Sequence, residues 1–89
     1  DLLRSAVDVR ARLLGPDDPR TLDARDALAT GYRLAGRHAE AVDLAAVVAD
    51  VRRRDLGPAD VATLAARTAL ALAQAAGGHL TAAVTVLDS

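Results

Sequence analysis

Apolar residues recur along the chain in steps of three and four, and glycine, proline and aspartate interrupt them at intervals. Leu22, Ala29, Tyr32 and Ala35 track one face of a helix, and Ala41, Leu44, Ala45 and Val48 track one face of the next. Gly15 and Gly57 follow such stretches and can take the left-handed conformation that closes a helix. Pro16 and Pro58 then forbid continuation. Asp18 can accept hydrogen bonds from the free N–H groups of the following turn, and Pro19 falls where a missing N–H costs nothing. Asp60 repeats the cap without the proline, and Gly36 and Gly77-Gly78 end the intervening helices. This punctuation predicts five helices, at about 2–13, 19–35, 38–55, 61–76 and 79–87. Connections of about two to five residues make consecutive helices antiparallel neighbours.

The same pattern is written twice. "LGPDDPRTLDARDALA" spans Leu14 to Ala29, and "LGPADVATLAARTALA" spans Leu56 to Ala71. An offset of 42 pairs residues 1–47 with 43–89, and 20 of the 47 pairs are identical. This composition gives roughly six by chance, and a fixed period of this length signals stacked helical units. The match reaches back through Asp8-Val9-Arg10 and Arg12, and forward through Gly36 and Ala41-Val42.

Composition narrows the picture. The 89 residues are 52% hydrophobic with one aromatic, Tyr32, and 22 alanines. Alanine combines the best helix propensity with little bulk, so the core suits closely spaced helices and suits strands poorly. All eleven basic residues are Arg, and Lys, Asn, Ile, Phe and Met are absent. That bias points to a GC-rich genome. A net charge of −1 leaves no electrostatic footprint for nucleic acid or an anionic membrane. The absence of cysteine excludes thiolate metal sites and disulfides. No apolar run reaches the roughly 20 residues of a membrane span.

Leu28-Ala29, Tyr32, Gly36 and Ala41 have the order large, small, aromatic, turn glycine, small. In that spacing the chain resembles the tetratricopeptide repeat family. The 42-residue period and the "LGP.D..TL..R..LA" opening resemble its kinesin-light-chain-like branch, which is frequent in large bacterial regulatory proteins. The resemblance implies an all-α, right-handed solenoid of antiparallel helix pairs. Residues 1–13 would be the end of a preceding repeat, 14–55 a complete repeat and 56–89 a truncated second one. The ends fall inside helical patterns, so the chain reads as a single-domain excerpt of a longer protein. The second unit departs from the first at Gln74, which replaces Tyr32, and at Gly77-Gly78, which replaces Ala35-Gly36.

Catalytic and metal chemistry find no support in the residues, and no cofactor is expected. His38 and His79 lie at inter-helix turns without converging ligands and read as solvated. Glu40 is the only glutamate and sits in a first helical turn, where negative charge is favourable. Arg52-Arg53-Arg54 ends a helix, where cations offset the macrodipole, and Asp50–Arg54 and Asp8–Arg12 have ion-pair spacing. Position by position, the resemblance implies a concave groove displaying Asp23, Asp26, Thr30 and Arg33 from the first unit. The second unit contributes Ala65, Thr68 and Leu72. Asp26, Thr30 and Ala69 replace the Lys and Asn of the carboxylate-clamp members, so binding of a chaperone tail is not expected. An acidic first unit beside an apolar second unit suits a ligand with a basic and an aliphatic part.

The resulting expectation is a cytoplasmic protein–protein interaction module that binds a peptide or partner protein and contacts neither nucleic acid nor membrane. The alternative is a DNA-binding helix-turn-helix regulator, against which the charge and the period both speak. Exposed terminal helices further imply self-association.

Overall fold

Every helix boundary falls within one residue of the sequence expectation. The computed structural model describes residues 2–88 and, among them, contains five helices and no strand. They are α1 (Leu2–Leu14), α2 (Pro19–Leu34), α3 (His38–Leu56), α4 (Val61–Ala76) and α5 (Leu80–Asp88).

The turns follow from local backbone chemistry. Asp18 accepts from the Arg20 N–H at 2.9 Å and Asp60 from the Ala62 N–H at 2.8 Å, so α2 and α4 begin on carboxylate caps. The ends of α2 and α4 share another device. The Arg37 N–H donates to the Tyr32 carbonyl at 2.8 Å and the Gly36 N–H to Arg33 at 3.1 Å. His79 and Gly78 repeat this on Gln74 and Ala75. These paired bonds wrap the last carbonyls and require a left-handed residue after the helix. Among the described residues, positive φ occurs only at Gly15, Gly36, Gly57 and Gly78, spaced 21 residues apart. Each helix with its turn therefore fills half of the 42-residue sequence period.

Each helix packs on its neighbours in the chain, and the contacts show antiparallel order. The Thr63 hydroxyl in the first turn of α4 donates to the Arg52 carbonyl near the end of α3 at 3.1 Å. Gly77, just beyond α4, lies against His38 at the start of α3. The Arg67 guanidinium of α4 donates to the Val86 carbonyl of α5 at 2.7 Å.

Two apolar clusters bind the two units together. Val7, Ala24, Leu28, Tyr32, Ala41 and Ala73 form one, drawn from four helices. Leu22, Val48, Ala49, Val51 and Ala66 form the other, drawn from α2, α3 and α4. Both contain α4 residues, so the second unit covers the apolar flank of the first.

Two threonines are buried with their hydroxyls engaged. Thr21 donates to the Gly15 carbonyl at 2.8 Å, and its repeat partner Thr63 makes the bond to Arg52. Each ties the start of one helix to the end of the helix before it.

The histidines differ from their expected role. His79 is exposed, but His38 is half-buried, and its Nδ1 has no hydrogen-bond partner among the described residues. His38 is not a solvated turn residue because the end of α4 rests on it. A Cβ at Gly77 would lie 3.0 Å from the His38 Cβ, which gives the second unit's Gly77-Gly78 pair a steric reason. The expected helical pairs Asp50–Arg54 and Asp8–Arg12 do not form among the described residues. Arg54 instead reaches Asp17 at 2.9 Å and Asp55 at 3.0 Å.

A left-handed glycine has a definite energetic signature. No atom lies within 4 Å of a Cβ built on Gly36, so Gly36→Ala is purely a backbone penalty. It is expected to lower unfolding free energy by about 1–2 kcal/mol in urea titration. The Asp18 cap predicts a pH effect. Arg20's guanidinium first, and its backbone N–H second, hold the Asp18 carboxyl below its ordinary value of 3.8. Its contribution is complete above that value and is lost as pH falls through the lowered one. The stability gap between the parent chain and Asp18→Ala should therefore be full at neutral pH and narrow during acid titration.

Candidate functional site

Helices α2 and α4 occupy the same position in successive repeats, so residues 42 apart line up across their common face. A hollow of about 50 Å³ lies between them. Asp26, Ala29, Thr30 and Arg33 line it from α2, Ala45 from α3, and Ala69, Leu72 and Ala73 from α4. Four of the groove residues expected from the sequence, Asp26, Thr30, Arg33 and Leu72, thus share one lining. Asp23 lies one turn earlier on α2 and outside it. Thr68 lies one turn before Leu72, and the two also line the apolar surface between α4 and α5. The Thr68 hydroxyl is already donated to the Leu64 carbonyl at 3.0 Å.

The two aspartates are not free charges. Arg52, on α3, places one guanidinium nitrogen 2.9 Å from Asp23 and another 2.8 Å from Asp26. Its side chain is only 12% exposed, whereas that of Asp23 is 68% exposed. The largely buried cation is held by two carboxylates of α2, and the trio keeps one net negative charge. Ala65 and Thr68 hold the corresponding positions in α4, so the second unit carries no carboxylates there. Arg52 offsets one of the two negative charges on which the expected attraction for a basic ligand rested. Arg33 has no ion-pair partner among the described residues, and Leu72 is 53% exposed beside it on α4. The side chains still available on this face are therefore a cation and an aliphatic group.

A larger cleft, of about 520 Å³, opens on a different face of α2. Arg4, Val7 and Asp8 of α1 form one wall, and Glu40, Asp43, Leu44 and Val47 of α3 the other. Arg25, Leu28 and Tyr32 form its floor, and the Arg37 guanidinium sits 4.6 Å above the Tyr32 ring. Arg37 also pairs with Glu40. Three arginines and three acids make the rim electrically balanced. Sequence reasoning did not find this cleft. The available signal was Tyr32, a single aromatic with Arg25, Arg37 and Glu40 within one or two helical turns.

No group of three metal-ligating side chains converges among the described residues. The surfaces offer packing, hydrogen bonds and charge pairing.

Comparison with known families finds the tetratricopeptide repeat over residues 1–54. Searches of curated proteins and of solved structures return no match. The helix-turn-helix alternative finds no support in these comparisons.

The Arg52 clasp is testable apart from any ligand. Arg52→Ala leaves Asp23 and Asp26 facing each other without their cation, and should cost about 2 kcal/mol in denaturant titration. Asp23→Ala, at a mostly exposed end of the clasp, should cost less than about 1 kcal/mol.

Proposed function

From a chain that belongs to the tetratricopeptide repeat family, we propose a peptide-docking module whose contact surface is the face shared by α2 and α4. Tetratricopeptide repeats are in general protein–protein interaction modules on a non-catalytic scaffold. The observation that carries the placement is the pairing of an unneutralised Arg33 with a half-exposed Leu72 across one hollow. Leu72 and Ala69 provide a seat for an aliphatic side chain, and Arg33 is placed to donate to a carboxylate or carbonyl. Thr30 adds a hydroxyl between them, and Thr68 extends the seat by one turn. Asp23 and Asp26 border the face with the oxygen lone pairs that Arg52 leaves open.

The ligand class this supports is an extended segment with an acidic and an aliphatic part. The module belongs, in this reading, to a larger signalling or regulatory protein of the bacterial cytoplasm. Supporting that placement are the arginine-only basic composition and the kinesin-light-chain-like opening of each repeat. No helix is long and apolar enough to cross a membrane among the described residues.

A second reading puts the partner in the cleft between α1 and α3, favoured by its greater volume and by Tyr32 beneath Arg37. One experiment separates the two. Peptides selected by display against the parent chain are measured against Arg33→Ala, Leu72→Asp, Asp26→Ala and Val47→Asp. The proposed face requires at least a tenfold loss, about 1.4 kcal/mol, for the Arg33 and Leu72 variants and little change for Val47→Asp. The reverse pattern moves the site to the cleft. A selective loss in Asp26→Ala restores the basic-ligand reading.

A further inference from the structure

The second unit departs from the first at three positions around the end of α4. Gln74 stands where the first unit has Tyr32, Gly77 where it has Ala35, and His79 where it has Arg37. In the first unit the Arg37 guanidinium lies over the Tyr32 ring and pairs with Glu40. The second unit exchanges that cation and ring for an imidazole and a carboxamide, and it removes the Cβ beside them. The space so opened is occupied from the other side. A Cβ built on Gly77 would lie 3.0 Å from the His38 Cβ, 3.5 Å from the His38 Cγ and 3.3 Å from the His79 Cδ2. Two imidazoles, one from the start of α3 and one from the turn before α5, thus flank a single point on the backbone.

Two atoms of this group are left unused by the fold. The His38 Nδ1 and the Gln74 Oε1 are buried, and neither has a hydrogen-bond partner among the described residues. No other buried side-chain nitrogen or oxygen among the described residues lacks one. Such an atom is costly to leave unpaired, and a bound ion is one means of satisfying it. The His79 N–H donates to the Gln74 carbonyl at 2.8 Å, which holds His79 beside the last turn of α4. Gln74 and Gly77 are three residues apart and lie on one face of that turn.

We propose that His38 and His79 bind a divalent first-row transition metal ion of the zinc or copper(II) class beside Gly77, with the Gln74 carboxamide oxygen as a third ligand and water in the remaining positions. Imidazole nitrogen suits these ions, whereas calcium and magnesium take sets of oxygen ligands that this cluster does not offer. No group of three His, Cys, Asp or Glu side chains converges among the described residues, so the site is open to solvent and the ion exchanges. Arg37, next to His38 in the chain, does not oppose the ion, because its charge is engaged over Tyr32 and on Glu40. The ion ties the start of α3 to the turn between α4 and α5. It therefore binds the folded chain better than the unfolded one and raises its stability.

Zinc(II) titrated into the untagged 89-residue chain, in competition with a chromophoric chelator, tests the site. At about pH 8, where an ordinary imidazole carries a free lone pair, one ion should bind per chain and the thermal unfolding midpoint should rise with zinc. His79→Ala, at an exposed position, should weaken binding by about tenfold or more and reduce that rise. His38→Ala should do the same, and His38→Gln replaces it should helicity by circular dichroism fall. Gln74→Leu should weaken binding by less, since an amide oxygen is the poorer donor to these ions. In the parent chain zinc should shift the ring resonances of both histidines together in nitrogen-edited NMR, a readout that needs no variant. Zinc that shifts His79 alone is held by a lone surface imidazole and overturns the proposal. So does an absence of saturable binding at millimolar zinc, or a folded His38 variant that binds as the parent does. No peptide takes part, so the result stands separately from the docking face of α2 and α4.

Discussion

Small side chains at the helix contacts govern the distances throughout this protein. Ala41, Ala45, Ala49, Ala66 and Ala73 lie at or near the seam between α3 and α4, and all are buried. Alanine contributes little transfer free energy per residue, so stability must come from close approach and dense dispersion contacts. At Gly77 the end of α4 rests on His38 so closely that an added Cβ would lie 3.0 Å from the His38 Cβ. A seam of this kind tolerates extra volume poorly, because overpacking displaces backbone as well as side chains. Several larger apolar residues lie outside the seam, with Leu72, Leu80, Val84 and Leu87 exposed.

Close approach depends on the helices arriving in a definite order, and polar bonds at their ends enforce it. Thr21 and Thr63 bury their hydroxyls on carbonyls of the preceding turn or helix. Arg52 crosses from α3 to two carboxylates of α2. Its burial makes the two carboxylates necessary to it, since Arg52 without them would be a charge stranded in a poorly hydrated place. Arg54 makes an exposed counterpart to Asp17, in the loop before α2. The two ion-pair sites give neighbouring arginines of one run different duties, one inside the structure and one at its rim.

The clasp in turn shapes what the exposed face can recognise. Asp23 and Asp26 share Arg52 and exceed it by one negative charge, while Arg33 on the face shared by α2 and α4 has no ion-pair partner among the described residues. The cleft on the other face of α2 balances its charges around Tyr32 and carries no net sign. Family membership supports a protein–protein interaction module in general. The chemistry of a partner is a question of which charges are already spent.

The helices, their caps and their repetition were legible in the sequence because each depends on residues close together in the chain. Asp18 and Asp60 cap the next turn, proline removes an N–H, and the left-handed turns fall on glycine. The 42-residue offset added the stacking order, since identical units bury identical flanks. Pairings between distant side chains were decided by tertiary structure alone. Arg52 lies 26 and 29 residues from its partners, and nothing local distinguishes Asp26 and Asp23 from the chain's other acids. The burial of His38 and the cleft around Tyr32 have the same origin. They appear only when the ends of separate helices meet, and that meeting depends on packing distances that composition suggests but does not specify.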